Sequence, residues 1–195
     1  MIKKYQYISD NIIIGTGHGS GILEYYVIGK YPSLDIKFSR ENVDELNGPG
    51  QSLVYALDCA SSRLPTIITF CDYIIKDNFS VDIDTLCVSV PSSDSVLGTY
   101  HTTIDSEDGI AIKLKHSDDL HLKKHGFIGL SVIHNTLLLK SIAYNLAYDG
   151  NVVYEDIVQG YIDKIRTSVT ILKNVLEFGV EKSLKETRGV LDRDN

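Results

Sequence analysis

The chain has 195 residues, 43% of them apolar and 23% charged, and a formal net charge of −7. With a mean hydropathy of −0.02, this composition supports one good-sized core and excludes a disordered, collagenous or coiled-coil chain. No apolar run approaches the ~20 residues of a membrane span, and the opening MIKKYQ lacks the apolar stretch of a secretory leader. The expectation is a cytoplasmic protein with no membrane partner. An acidic balance without a basic block argues against nucleic acid as a partner. Cys59, Cys71 and Cys87 have no CxxC spacing and read as reduced, mostly buried small hydrophobes.

In the first half, strands and helices alternate. Residues 11–17 (NIIIGTG) are a β-branched run ending in glycines, which predicts a buried strand. Residues 21–31 (GILEYYVIGKY) carry apolar side chains at helical spacing, and Pro32 closes them. Residues 34–39 (LDIKFS) alternate as a strand, and the turn 47–50 (NGPG) opens a helix over 51–61 with an apolar stripe. Residues 65–71 (PTIITFC) predict another buried strand, with Asp72 at its carboxyl end. This β-α-β-α-β order predicts a right-handed parallel sheet with helices on its faces.

The second half is less regular. Residues 85–90, 109–115 and 126–133 predict strands, 135–148 and 154–166 helices, 168–176 one more strand, and 181–191 a closing helix. No repeat, low-complexity tract or linker interrupts the chain. The reading is a single domain over 1–195 whose sheet turns mixed towards its end.

Two local patterns have chemical meanings beside plainer ones. The cluster Gly15, Gly17, Gly19 and Gly21 lies between a strand and a helix, as dinucleotide loops do, with Asp35 as the acidic residue further on. The plainer reading is a flexible turn. Asp72 lies where open α/β sheets bind ligands, and a carboxylate at a strand end suits Mg²⁺; it could equally cap the next turn. His116, His121 and His125 have spacings that favour a solvated loop over zinc.

Taken together, three stretches resemble the nucleotidyltransferases that join a nucleoside triphosphate to a sugar phosphate, choline phosphate or similar acceptor. They are NIIIGTGHGSGILEYYVIGKYP, FSRENVDELNGPGQSLVYAL and LPTIITFCDYIIKD. The last is similar to the family's strand ending in a metal-binding Asp. More weakly, DSEDGIAIKLK, GFIGLSVI and LEFGVEKSLKETR resemble later family segments in the right order.

The resemblance implies a Rossmann-like, GT-A-like fold with a mixed, mainly parallel sheet flanked by helices. It implies Mg²⁺ held by Asp72 and Glu177, and Gly48, Gly50, Gln51 and Ser52 around the nucleobase. Lys115 is implied at the acceptor phosphate, with Asp72 and Lys115 as catalytic residues, and Gly126 as a backbone contact to the acceptor. The implied partners are a nucleoside triphosphate or sugar nucleotide and a phosphorylated acceptor in surface-glycan precursor synthesis. A non-catalytic homologue that binds a nucleotide or another protein is the alternative.

The family's N-terminal strand and Gly-rich triphosphate loop find no match before residue 11, and Glu177 and Leu114 stand where the family has Asp and Glu. A gap in the sheet is therefore expected, filled by residues 3–8 (KKYQYI), by a second chain or within a longer protein. A self-pairing homodimer is the favoured expectation.

Overall fold

A computed structural model of the chain describes residues 2–9, 11–17, 19–41, 48–89, 102–116, 126–150 and 152–177. The histidines at 121 and 125 and the expected helix over 181–191 lie outside these residues. The chain forms two compact units, one of Met1–Pro65 with Asn135–Tyr161, the other of Thr66–His134 with Ile162–Asn195. Among the described residues no helix is long and apolar enough to cross a membrane.

The first unit opens with one helical turn, α1 (Ile2–Tyr5), where residues 3–8 were a candidate strand. Strand β1 (Asn11–Thr16) and strand β2 (Asp35–Arg40) run parallel in register, from Asn11 opposite Asp35 to Thr16 opposite Arg40. Helix α2 (Ser20–Lys30) connects them, entered through Gly19 at φ 74°, a left-handed conformation that glycine adopts without strain. Helix α3 (Pro49–Cys59) starts with proline in its first turn, where the ring's fixed φ suits a helix and no N–H is needed. Its Leu53, Val54 and Leu57 are buried.

Helix α4 (Thr136–Tyr148) is capped by Asn135, whose side chain accepts from Leu138 N at 3.0 Å. Helix α5 (Tyr154–Ile162) begins with Glu155 and Asp156, acids that suit the positive end of the helix dipole. One face of α4 donates three hydrogen bonds at i, i+4 and i+8 to the stretch around the end of α3. Thr136 reaches Leu64 O at 2.6 Å, Lys140 reaches Ala60 O at 2.7 Å, and Tyr144 reaches Asp58 Oδ1 at 2.6 Å. Burial, with the Asp58 carboxylate beside it, pushes the Tyr144 phenol up to about 12.

The regular elements of the second unit are, among the described residues, strands. Its members are β3 (Thr66–Ile68), β4 (Tyr73–Ile75), β5 (Thr85–Ser89), β6 (Thr102–Glu107), β7 (Ile110–His116), β8 (Gly126–Ile133), β9 (Ser168–Leu172) and β10 (Val175–Glu177). Six of them form one sheet in the order β3-β8-β5-β9-β7-β6, and Thr103 opposite Gly126 joins β6 back to β8. Strands β8, β5, β9, β7 and β6 therefore close on themselves. Every residue of β5 and β8 is buried. Ile75, Cys87, Ile128, Leu130 and Leu172 form a core against which Ile67, Tyr73, Phe79 and Val175 pack.

The mixed α/β character is as expected, but the mainly parallel sheet is not. Among the described residues only β1–β2 and β5–β9 are parallel; the other pairings are antiparallel. The stretch expected as a third parallel strand is the short β3, antiparallel to β8. The physical reason is local turns. Asp108 and Gly109, at φ 48° and 75°, make the two-residue turn that folds β6 back on β7. Residues expected as one strand over 168–176 break at Lys173 and Asn174 into β9 and β10. The cysteines also differ from expectation: Cys87 is buried, with its thiol pushed up to about 12, Cys59 is half-buried, and Cys71 is exposed.

Candidate functional site

Asp72 lies in the turn between β3 and β4, in the second unit. The approach to that turn is set from β8. Gly129, at φ 71°, faces Phe70, and an added Cβ would sit 2.5 Å from the ring. No side chain fits there. Phe70 can then lie against bare backbone two residues before Asp72.

The far side of the turn is fixed by Asp77. Its carboxylate accepts from Lys173 N at 2.5 Å, Asn174 N at 2.9 Å and Asn174 Nδ2 at 2.5 Å, and Lys76 N donates to Asn174 O at 2.9 Å. With the β9–β10 turn held this way, β10 runs antiparallel to β4, and Glu177 falls opposite Tyr73, one residue from Asp72. The backbone thus brings together the two acidic positions singled out as metal ligands.

Asp72 Oδ1 is buried and, among the described residues, has no hydrogen-bond partner. Burial pushes its carboxyl above the ordinary range, with a hydrogen bond from its own backbone opposing the shift. A buried carboxylate oxygen left unpaired is costly, and such atoms in folded proteins call for an explanation. A hard cation is one. Mg²⁺ binds through one or two carboxylates and completes its shell with waters and phosphate oxygens. Among the described residues no group of three or more His, Cys, Asp or Glu could hold a metal. One or two carboxylates suit a cation that arrives with its phosphate.

Lys115, on β7, forms an ion pair with Asp105 across the hairpin. Gly126 opens β8, buried between Ser89 and Thr103 as its strand neighbours. Both belong to the second unit. Gly48, Gly50, Gln51 and Ser52 belong to the first unit, around the start of α3. Gly48 caps the helix in extended conformation, and Ser52 Oγ donates to Gly48 O at 3.3 Å. At Gly50 a Cβ would lie 2.2 Å from Val152 O and 2.8 Å from Tyr154 N, so the backbone approach there excludes any side chain. Gln51 is half-buried, whereas Leu53 and Leu57 further along the helix are buried.

One cluster was missed in the sequence. Arg40, at the carboxyl end of β2, grips Glu24 of α2 with two hydrogen bonds, 2.8 Å to Oε1 and 2.5 Å to Oε2, and Thr16 donates to the same Oε1 at 3.4 Å. The bonds from Arg40 hold the Glu24 carboxyl below its ordinary value, against the raising effect of burial. The available signal was a glutamate inside an apolar helical run, GILEYYVIG. Such an acid needs a cation if it turns inward.

The dinucleotide reading loses its acidic residue. Asp35 begins β2, opposite Asn11, whereas the glycine loop follows the other end of the parallel pair at Thr16. Ribose recognition needs the acid at the loop end.

No family model matches the sequence, and no curated protein matches it. Solved structures do. A UDP-glucose pyrophosphorylase complexed with UDP-glucose superposes with a TM-score of 0.72 at 13% identity, over 95% of this chain and 81% of that one. The inositol-1-phosphate CTP transferase from T. maritima gives 0.71 at 14% identity, over 96% and 80%. The CTP:phosphocholine cytidylyltransferase from Streptococcus pneumoniae gives 0.67 at 15% identity, over 93% and 78%. The fold is that of the sugar-phosphate and choline-phosphate nucleotidyltransferases.

Proposed function

From that shared fold, we propose that the chain, acting as one cytoplasmic nucleotidyltransferase-like domain, binds a nucleoside triphosphate or sugar nucleotide. It would move the nucleotidyl group to a phosphorylated small-molecule acceptor in surface-glycan precursor synthesis. The observation that carries this reading is the buried, unpartnered Oδ1 of Asp72, with Glu177 one register step away. Asp72 and Glu177 would hold Mg²⁺, which would supply positive charge beside the phosphate oxygens at the α-phosphorus.

The other roles belong to the chain's own groups. Around the start of α3, Gly48 offers exposed backbone, Gly50 seats the helix start against the chain at Val152, and Gln51 and Ser52 offer hydrogen bonds to a base edge. Lys115 turns from Asp105 to the acceptor phosphate, and the Gly126 backbone contacts the acceptor. The ion pair at Lys115 also favours a second reading, binding without transfer, because a neutralised lysine attracts a phosphate less.

The test is a thermal-shift titration with CTP, UTP, GTP, ATP and dTTP, each with and without Mg²⁺. One nucleotide is expected to raise the melting temperature in a Mg²⁺-dependent way, worth about 2.7 kcal/mol at a hundredfold excess over Kd. In Asp72→Asn the Mg²⁺-dependent part disappears. The ligand-free melting temperature at neutral pH rises, because burial raises the Asp72 carboxyl in the fold, and stability is lost as pH climbs from its unfolded value through its folded one. A flat response to every nucleotide overturns the reading. Pyrophosphate release on adding acceptor phosphates separates transfer from binding.

A further inference from the structure

Helix α2 turns the wrong face outward for a surface helix. Its inward residues are Glu24 and Val27, and Glu24 is spoken for by Arg40. The outward stripe is Ile22, Tyr25, Tyr26 and Gly29, with Ile22 82% exposed, Tyr25 84% and Tyr26 62%. Leu23 and Ile28 flank it, both exposed. Tyr25, Tyr26, Ile28, Gly29 and Lys30 line a depression of about 420 Å³ on this face. An amphipathic helix at a solvent boundary carries polar residues here. A contiguous apolar patch of this kind marks an interaction surface.

We propose that this face is a homodimer interface, in which α2 packs antiparallel on α2 of a second copy about a two-fold axis between Tyr25 and Tyr26. Three observations favour a second copy over another partner. The first is self-complementarity. In an antiparallel pair centred there, Ile22 of one copy meets the partner's Gly29 and Tyr25 meets the partner's Tyr26, while Leu23 and Ile28 border the contact on its two sides. The bulkiest aliphatic group of the stripe thus falls on the residue that leaves a depression, and the tyrosines meet across the axis, where offset or edge-to-face contact is favourable.

The second is charge. Two copies of a chain with net charge −7 repel, and they meet at least cost on a face without acids. On α2 the one acid is buried and paired, and the one exposed charge is Lys30 at the helix end. Antiparallel packing sends the two Lys30 side chains to opposite ends of the contact.

The third is area. The two exposed tyrosines can bury about 150–250 Å² each, and Ile22 adds to them, towards the ~800 Å² that each partner contributes to a stable interface. Because each residue of a two-fold interface is used twice, a single substitution acts twice.

The experiment is sedimentation equilibrium of the full chain and two variants, from about 1 to 100 µM, a range that brackets a micromolar dissociation constant. The wild-type chain is expected to run at twice its 21.7 kDa mass. Ile22→Asp is expected to run as a monomer, with the dissociation constant raised on the order of 100-fold or more. Gly29→Leu tests the contact without risk to the fold. Nothing lies within 4 Å of a Cβ at Gly29, and leucine is the better helix former. Its melting temperature at high dilution should therefore equal or exceed that of the wild type, while dimerisation weakens at least tenfold. A wild-type chain that stays monomeric over the whole range overturns the proposal, as does a dimer that both variants leave intact.

Discussion

The two units are held together by different means. In the second, the strands that matter most are apolar and fully buried, and the sheet closes, so its central strands offer no edge to solvent. The first has a two-stranded sheet, which alone is marginal. It relies on helices joined by directed polar contacts: three donors along α4, and Arg40 on Glu24. Burial is non-directional and accumulates with area. Hydrogen bonds give about 1 kcal/mol net each but fix geometry. The second unit thus has the stronger core, and the first has its elements positioned by a few named atoms.

The sharpest way to break this contrast is to hollow out the closed sheet. Leu130→Ala, at a residue with no solvent exposure on the most buried strand, should cost about 3–4 kcal/mol in urea unfolding. A cost under 1 kcal/mol would mean that the closed sheet is not the stronger core.

A smaller effect is expected in the first unit at Gly50→Ala, where the new methyl would meet the Val152 carbonyl at 2.2 Å. Backbone must move to admit it, at about 1–3 kcal/mol by the same unfolding measurement. An unchanged midpoint would show that α3 and the chain at Val152 shift apart freely.

Smallest is the Glu24–Arg40 pair, whose arginine is largely exposed. The folded Glu24 carboxyl titrates below its unfolded value. Its contribution is present in full above the unfolded pKa and is lost as pH falls through the folded one. Melting temperatures of Glu24→Gln and wild type measured from pH 7 down to pH 3 should converge at the acid end. Parallel curves would remove the pair from the stability of this unit.

Much of the element order is legible in the sequence, because it depends on short-range patterns. Residues 126–133 read as a strand from apolar density alone, and β8 has those bounds. Asn135 announces α4 as a cap. What the periodicity cannot carry is partnership. That β3 pairs with β8, or that Asp77 accepts from residues 96 and 97 positions away, depends on the whole fold.

The candidate site divides the same way. Asp72 was visible as an acid after an apolar run. Its orphaned oxygen was not, and neither was the turn that Asp77 pins to bring Glu177 alongside. Strand β6 passed unread because TTIDSE alternates poorly, although the Asp108-Gly109 pair after it marks a hairpin turn.

Among the described residues the β6–β7 hairpin pairs with the rest of its sheet through one residue couple on each side, Thr103 with Gly126 and Ile110 with Ser168. The second seam is flanked by hydrogen bonds from Ala111 N to Thr167 O at 2.9 Å and from Val169 N to Gly109 O at 2.8 Å. Unlatching those two couples leaves every pairing of β5 with β8 and β9 in place. The hairpin, with Asp105 and Lys115 aboard, is therefore the part of the closed sheet with the fewest ladder partners outside itself, although Thr102, Thr103, Ala111 and Leu114 anchor it by burial, and its amides are expected to trade protons with water sooner than those of β5 and β8.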